Sequence, residues 1–301
     1  MSKRARIAAV ITAILAVAAV ALAGCGGADG PQGAVEQAFL DFNNQTKTAK
    51  FTGKVSMDGE GLPGIEGDGV AIDFDMQMDG SDPQRPAFSM KMDVPVGDTG
   101  VEVVAVGDQM YMTVDGKSYV TDISKIRDQA AAFSFKDQLA MLRTISESVT
   151  NYKQSGTDSV DDVPLTVYSG DLDVGKLFEG LLPQLEKMMP SGAGGLTGGE
   201  QMTDMAVGMI KQMVKDPVQM RFGIDQQGVL RLIEFRLKFT APFGAEGGDA
   251  PAMTVKGRFE AHAINEPVNI EVPNDAEPVE DMSKLMQDAG PTGNTGENPF
   301  N

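Results

Sequence analysis

Acid–base or nucleophilic catalysis needs a histidine, a cysteine or paired carboxylates within hydrogen-bond reach of a substrate, and this chain offers few. His262 is its one histidine. It falls on the charged side of an alternating stretch, beside Glu260, which predicts a solvated surface side chain and no base-and-nucleophile pair. Asp73 and Asp75 project from one strand face ~7 Å apart, twice the strand rise. That separation loosely resembles glycosidase carboxylates, but charges that keep a sheet face wet account for it more simply. Asp158, Asp161 and Asp162 could touch a calcium ion, although their spacing fits no EF-hand loop. There is no Cys/His cluster for zinc, and the glycine-rich stretches lack the Gly-Lys-Ser/Thr of a phosphate loop. An enzyme is the least supported of three function classes, and no catalytic residue, metal or cofactor is expected.

One residue does point to chemistry, and that chemistry would be done to it by another enzyme. Lys3, Arg4 and Arg6 precede an apolar run from Ile7 to Leu22 that closes in Leu22-Ala23-Gly24-Cys25, the layout of an export signal. The ending resembles the bacterial lipobox, in which the cysteine thiol receives a diacylglycerol and the chain is cut before it. The resemblance implies a signal over residues 1–24 and lipidation of Cys25, the one cysteine present. An acylated sulfur leaves nothing to pair, as a lone cysteine in an exported chain requires. The alternative is an uncleaved transmembrane anchor, for which a run of about 16 residues is short against the ~20 needed.

Cleavage takes the basic count from 25 to 22 against 43 acids, a formal charge of −21. Such a surface repels nucleic acid and anionic headgroups. The membrane is therefore a partner through acyl chains, each methylene contributing ~0.8 kcal/mol, with two chains needed for lasting attachment. The chain has 19 methionines and no tryptophan. Methionine fills irregular space and suits surfaces that accept ligands of varied shape; a Met-rich core without ligand is the alternative.

Residues 25–32 read as a tether, and helical spacing predicts a first helix over Gly33–Asn43. Period-two alternation then marks strands over Phe51–Met57, Ile72–Met78, Phe88–Val94, Val101–Val106 and Met110–Val114. The last joins Ser118–Thr121 through Asp115-Gly116, a hairpin signal. Apolar stripes predict helices over Asp128–Val149, from a cap at Asp173, and over Glu200–Val214. Strands are expected at Asn151–Thr157 and Leu165–Leu172 about an acidic turn, Asp158 to Asp162, and later at Val218–Ile224, Val229–Phe239, Met253–His262 and Val268–Val272. Gly192 to Gly199 is a candidate hinge, and residues 274–301 read as an acidic, disordered tail.

Strands with one wet and one apolar face, joined by short turns, require an antiparallel sheet whose apolar side is covered. The striped helices are the available cover. The expected fold is α+β: one large curved antiparallel sheet, a half-barrel over residues 33–273, wrapped around two to three helices. A β-sandwich is the runner-up and leaves the helices unplaced. If the packing does not close, an apolar cavity results, lined by Phe74, Met76, Met78, Met90 and Met92 from strands. Helical positions Phe178, Leu181, Leu182, Met202, Met205, Met209 and Met213 would form the opposite wall. A solid core is the other outcome.

The ordered series Val106-Gly107-Asp108-Gln109-Met110-Tyr111, Gly116-Lys117-Ser118-Tyr119, Val163-Pro164-Leu165-Thr166-Val167-Tyr168 and Leu172-Asp173-Val174 resembles the actinobacterial LppX/LprG-type lipoproteins. So do Ile224-Asp225 with Gly228-Val229-Leu230-Arg231, and the closing Val268-Asn269-Ile270-Glu271-Val272-Pro273. These belong with the LolA/LolB-like half-barrel carriers. The resemblance implies a hydrophobic cavity for acylated lipid, a role in lipid transport or presentation in the cell envelope, and no catalytic residues. A non-enzymatic surface or signalling lipoprotein that binds another envelope protein, with a filled core, is the alternative function.

Overall fold

The computed structural model describes residues 30–59, 69–82, 85–94, 99–114, 116–124, 147–177, 179–180, 216–240 and 252–279, together with Thr144, Gly208 and Val214. The signal, the Asp128–Val149 helix apart from Thr144, Glu147 and Ser148, the Gly192–Gly199 hinge and nearly all of the Glu200–Val214 helix lie outside these residues, and Val149, expected at the end of that helix, begins a strand.

The first helix is α1 (Pro31–Gln45). Proline at its first turn suits a position whose N–H has no intrahelical acceptor. Val35, Ala38, Phe39 and Phe42 are buried along one side. On the other side Gln32 bonds Glu36, and Gln37 and Gln45 both bond Asp41, each at a spacing of four residues. The helix stops where Thr46 turns extended.

Twelve strands follow: β1 (Thr48–Gly59), β2 (Val70–Asp79), β3 (Ala87–Val94), β4 (Thr99–Val106), β5 (Gln109–Val114), β6 (Lys117–Asp122), β7 (Val149–Val160), β8 (Val163–Leu172), β9 (Val218–Asp225), β10 (Leu230–Thr240), β11 (Ala252–His262) and β12 (Glu277–Pro278). They make one sheet in the order β12-β6-β5-β4-β3-β2-β1-β11-β10-β9-β8-β7. Every pair is antiparallel except β12 with β6. The expected large antiparallel sheet is present. Its middle is the pairing of β1 with β11, which joins a meander running outward from β1 to β6 with one returning from β7 to β11.

Three expectations need correction. Val268 and Ile270 are half-buried between exposed Asn269 and Glu271, but Val272 is exposed as well, and the Val268–Val272 stretch forms no ladder among the described residues. The tail does not begin without order at Asn274, because β12 lies on β6 beyond it. The acidic turn is narrower than Asp158 to Asp162. Asp158 belongs to β7, and the turn consists of Asp161 and Asp162, both at positive φ, the backbone of a two-residue hairpin loop. The cap at Asp173 is present: its Oδ1 accepts from the Lys176 N–H at 3.0 Å, with residues 174–177 helical.

The β7–β8 hairpin does not stay in the plane of the sheet. Asp158 on β7 lies 3.4 Å from Arg258 on β11. Those strands are four steps apart, ~19 Å along a flat sheet at ~4.8 Å per step. The hairpin end must therefore curl across the outer face. Two irregularities in the β7 register, with Asn151 and Gly156 at positive φ, supply the bend. Beneath it Val160, Leu165 and Leu232 form a small separate core, Leu232 being fully buried on what is otherwise the charged side.

Candidate ligand-binding face

The apolar side of the sheet is continuous across strand registers. From β9 toward β6 its rows include Phe222 beside Ile233, Phe235 beside Gly257, Phe259 beside Gly53, and Gly53 beside Phe74. Phe74 then pairs with Met92, Met76 with Met90, and Met78 with Phe88; Met90 meets Val103, which meets Met112, which meets Tyr119. Period-two alternation alone enforces this, since a one-residue slip would send the whole set to the wet face.

Of the expected lining residues, Phe74, Met76, Met78, Met90 and Met92 come together on this face on β2 and β3, each half-buried. Phe88 beside them remains 37% exposed. Phe178, Leu181, Leu182, Met202, Met205, Met209 and Met213 lie outside the described residues. The helix α1 packs on β7, β9 and β10, with Phe39 edge-on to Phe222 of β9, and reaches β1 where Phe42 meets Phe51. Among the described residues nothing comparable covers β2 to β5. A void of about 30 Å³, lined in part by Phe42, Phe51, Ile233 and Ala261, opens under α1.

The middle of the face has a feature that sequence reasoning missed. Phe235 and Phe259 stack 6.3 Å apart, and Phe259 lies 6.3 Å from Phe74. Each of the first two rings covers a glycine on the neighbouring strand. A Cβ on Gly257 would come within 2.2 Å of the Phe235 ring, and one on Gly53 within 2.6 Å of the Phe259 ring. The aromatic rings lie low because these glycines have no side chains, which leaves a shallow aromatic floor between α1 and the methionines. Isolated glycines inside alternating strands were the available signal.

A cleft of about 270 Å³ between α1 and the β8–β9 region is of a different kind, lined in part by Gln37, Asp41, Thr166, Tyr168 and Asp225. Its acids are already engaged. Asp41 accepts from Gln37. Asp225 accepts from the Gln227 and Val229 N–H groups and from Arg231 Nε, organising the β9–β10 turn.

The opposite, outer face carries charge. Arg258 reaches Glu234, Glu260 and Asp158, and Arg221 reaches Glu234 and Asp158. Burial alone would raise the Asp158 carboxyl; the Ser159 amide, Arg258 and Arg221 outweigh it and hold the carboxyl below its usual range. Burial likewise works against the Arg258 guanidinium, and Glu260 and Glu234 more than restore it, raising it above its usual value. His262 is less exposed than expected, its side chain retaining 19% of its accessible surface. The β7–β8 turn lies on it: Asp161 Oδ2 is 2.7 Å from Nδ1 and Thr52 Oγ1 is 2.9 Å from Nε2. Asp73 pairs with Lys54 at 3.4 Å on this wet face. These groups hold strands and hairpin together, and none faces the apolar floor.

No family model and no curated protein matches the chain. Among solved structures, the Mycobacterium tuberculosis lipoprotein LppX aligns at 15% identity and a TM-score of 0.38, covering 80% of this chain and 97% of that one. LprF from Mycobacterium bovis aligns at 13% identity and a TM-score of 0.39, covering 83% and 99%. A LolA superfamily protein from Nitrosomonas europaea aligns at 8% identity and 0.25, covering 82% and 96%.

Proposed function

We propose that the protein is a lipid-tethered binder or carrier of hydrophobic ligands, acylated lipids first among them, held by Cys25 on the extracytoplasmic side of a cell membrane. The observation that carries this reading is the extent of the apolar face relative to its cover. The face runs from Phe222 on β9 to Tyr119 on β6, while among the described residues α1 packs on the β7, β9 and β10 end and reaches β1 through Phe42 against Phe51. Burying such surface is favourable by ~25 cal/mol per Å². An acyl chain, having no fixed shape, is a suitable occupant for a floor whose side chains are methionine and low-lying phenylalanine. Phe74, Met76, Met78, Met90 and Met92 would touch the ligand from the sheet side. Phe178, Leu181, Leu182, Met202, Met205, Met209 and Met213 would do so from the helical side. Residues 33–273 would form the carrier domain.

The test is native mass spectrometry and lipid extraction of protein purified without its anchor, followed by titration with a fluorescent C16 fatty acid. A carrier arrives with lipid bound or takes up the probe. Met90→Asp, which places a charge under the ligand, should weaken uptake at least ~tenfold with far-ultraviolet circular dichroism unchanged. An empty preparation that takes up no probe ends the reading. If crosslinking in cells then recovers a protein on this face, the alternative of a filled, partner-binding lipoprotein stands.

A further inference from the structure

We infer that residues 264–279 form a strap across one mouth of the apolar face, released at its far end to admit ligand; the inference rests on the carrier reading and supplies its gate. Both ends of the segment place an apolar side chain on the same side of the sheet. Ile264 packs on the cluster of α1, β9 and β10 residues, and Val279 packs on the cluster of Met112 and Val114 with Tyr119.

The anchor points flank the end of the sheet where β1 begins. Thr48 faces Asp79 there, Ala87 faces Val106, and Gln109 faces Asp122. From Glu266, whose carbonyl accepts from Thr48 Oγ1 on β1, to Glu277 on β12, which pairs with Tyr119 on β6, the sheet order leaves six steps, ~29 Å. The intervening chain reaches at most ~36–40 Å when extended, enough to cross and too little to wander far. Along it Val268 and Ile270 are half-buried while Asn269 and Glu271 are exposed, the alternation ending at Val272, which is exposed, and the Asn269 amide donates to Glu271. An apolar-in, polar-out segment without ladder partners is what a strap laid over an opening requires.

Its two anchors are unequal. At the near end, Asn265 N–H donates to the Thr48 carbonyl at 2.8 Å and its side-chain amide donates to the Gln45 carbonyl, while its Oδ1 accepts from Lys47 N–H. At the far end, among the described residues, β12 is a two-residue parallel strand, followed by a Val279 N–H to Val120 carbonyl bond and the half-buried Val279 side chain. Segments with few buried contacts open first, so the strap detaches at Val279 and pivots about Asn265. Detachment uncovers Met112, Val114 and Tyr119 at the β6 end of the face.

Stopped-flow uptake of a fluorescent C16 fatty acid by the full chain, Val279→Asp and the milder Val279→Ala tests this. Both variants should take up the probe severalfold faster. Hydrogen exchange on the unaltered chain should show the Val279 amide losing protection as probe is added while the Asn265 amide keeps it. Equal uptake rates in all three forms, with Val279 protection unchanged, overturn the gate and leave the carrier reading standing. If none of the three takes up the probe, the carrier reading falls and the gate falls with it.

Discussion

At the scale of single residues, the outer face is held by groups whose neighbours decide their charge. Asp158 accepts from its own strand at Ser159 and faces Arg221 and Arg258 from β9 and β11. Because the carboxyl is held below its ordinary value, the unfolded chain binds more protons than the folded one between the folded value and ~3.9. The stability Asp158 supplies is therefore complete above about pH 4 and is lost as pH falls through the folded value. Comparing denaturation midpoints of the protein and Asp158→Asn across this acid window removes the contribution of the other carboxylates. The unaltered protein should lose more stability on acidification than the variant. Parallel curves would mean that Asp158 contributes nothing to holding the hairpin. His262 belongs to the same junction, since Asp161 and Glu260 both approach its ring.

The strand elements divide into those the sequence announces and those it conceals. Alternation in Ile72–Met78 and Phe88–Val94 gave both the strands and the face on which Phe74, Met76, Met90 and Met92 meet, because period two leaves no freedom once one face is buried. The Asp173 cap was equally legible, since a side-chain acceptor before a helical stripe has one common use. The curl of β7–β8 was not. It depends on Leu232, an apolar residue out of phase on a charged face, meeting Leu165 and Val160 from strands two and three places away. No local pattern encodes that distance. The strap was hidden for a related reason: Val268–Val272 has strand periodicity, but a ladder needs a partner strand, and among the described residues none pairs with this stretch. The aromatic floor lies between these cases. Gly53 and Gly257 stand out in alternating strands, yet only the cross-strand registers put Phe259 and Phe235 above them. Gly257→Ala tests what the glycines are for. The new methyl meets the Phe235 ring, which must lift toward the apolar space; overpacking of this kind costs about 1–3 kcal/mol. Fatty-acid affinity should fall severalfold while the sheet persists by circular dichroism. Unchanged affinity would place the ligand elsewhere on the face.

On the scale of the whole molecule, charge and tether oppose each other, and the opposition can be measured. The chain carries 25 basic residues against 43 acids, and would carry 22 with the signal removed, so in either form its mean electrostatic interaction with an anionic bilayer is repulsive. Among the described residues no helix is long and apolar enough to cross a membrane. If Cys25 carries a diacylglycerol, attachment is hydrophobic, and added salt can only strengthen it by screening the repulsion; at about 1 M the screening length is ~3 Å. A protein held by basic patches does the reverse and washes off. Membranes from cells expressing the full chain should therefore retain it through a high-salt wash and release it to detergent. Cys25→Ser should shift it to the aqueous fraction or leave it as the uncleaved, larger precursor, and either result assigns the anchor to the thiol. Retention of a fully processed Cys25→Ser protein on salt-washed membranes would mean that another part of the chain binds the bilayer, and the apolar face with its strap would then be the first surface to examine for that contact.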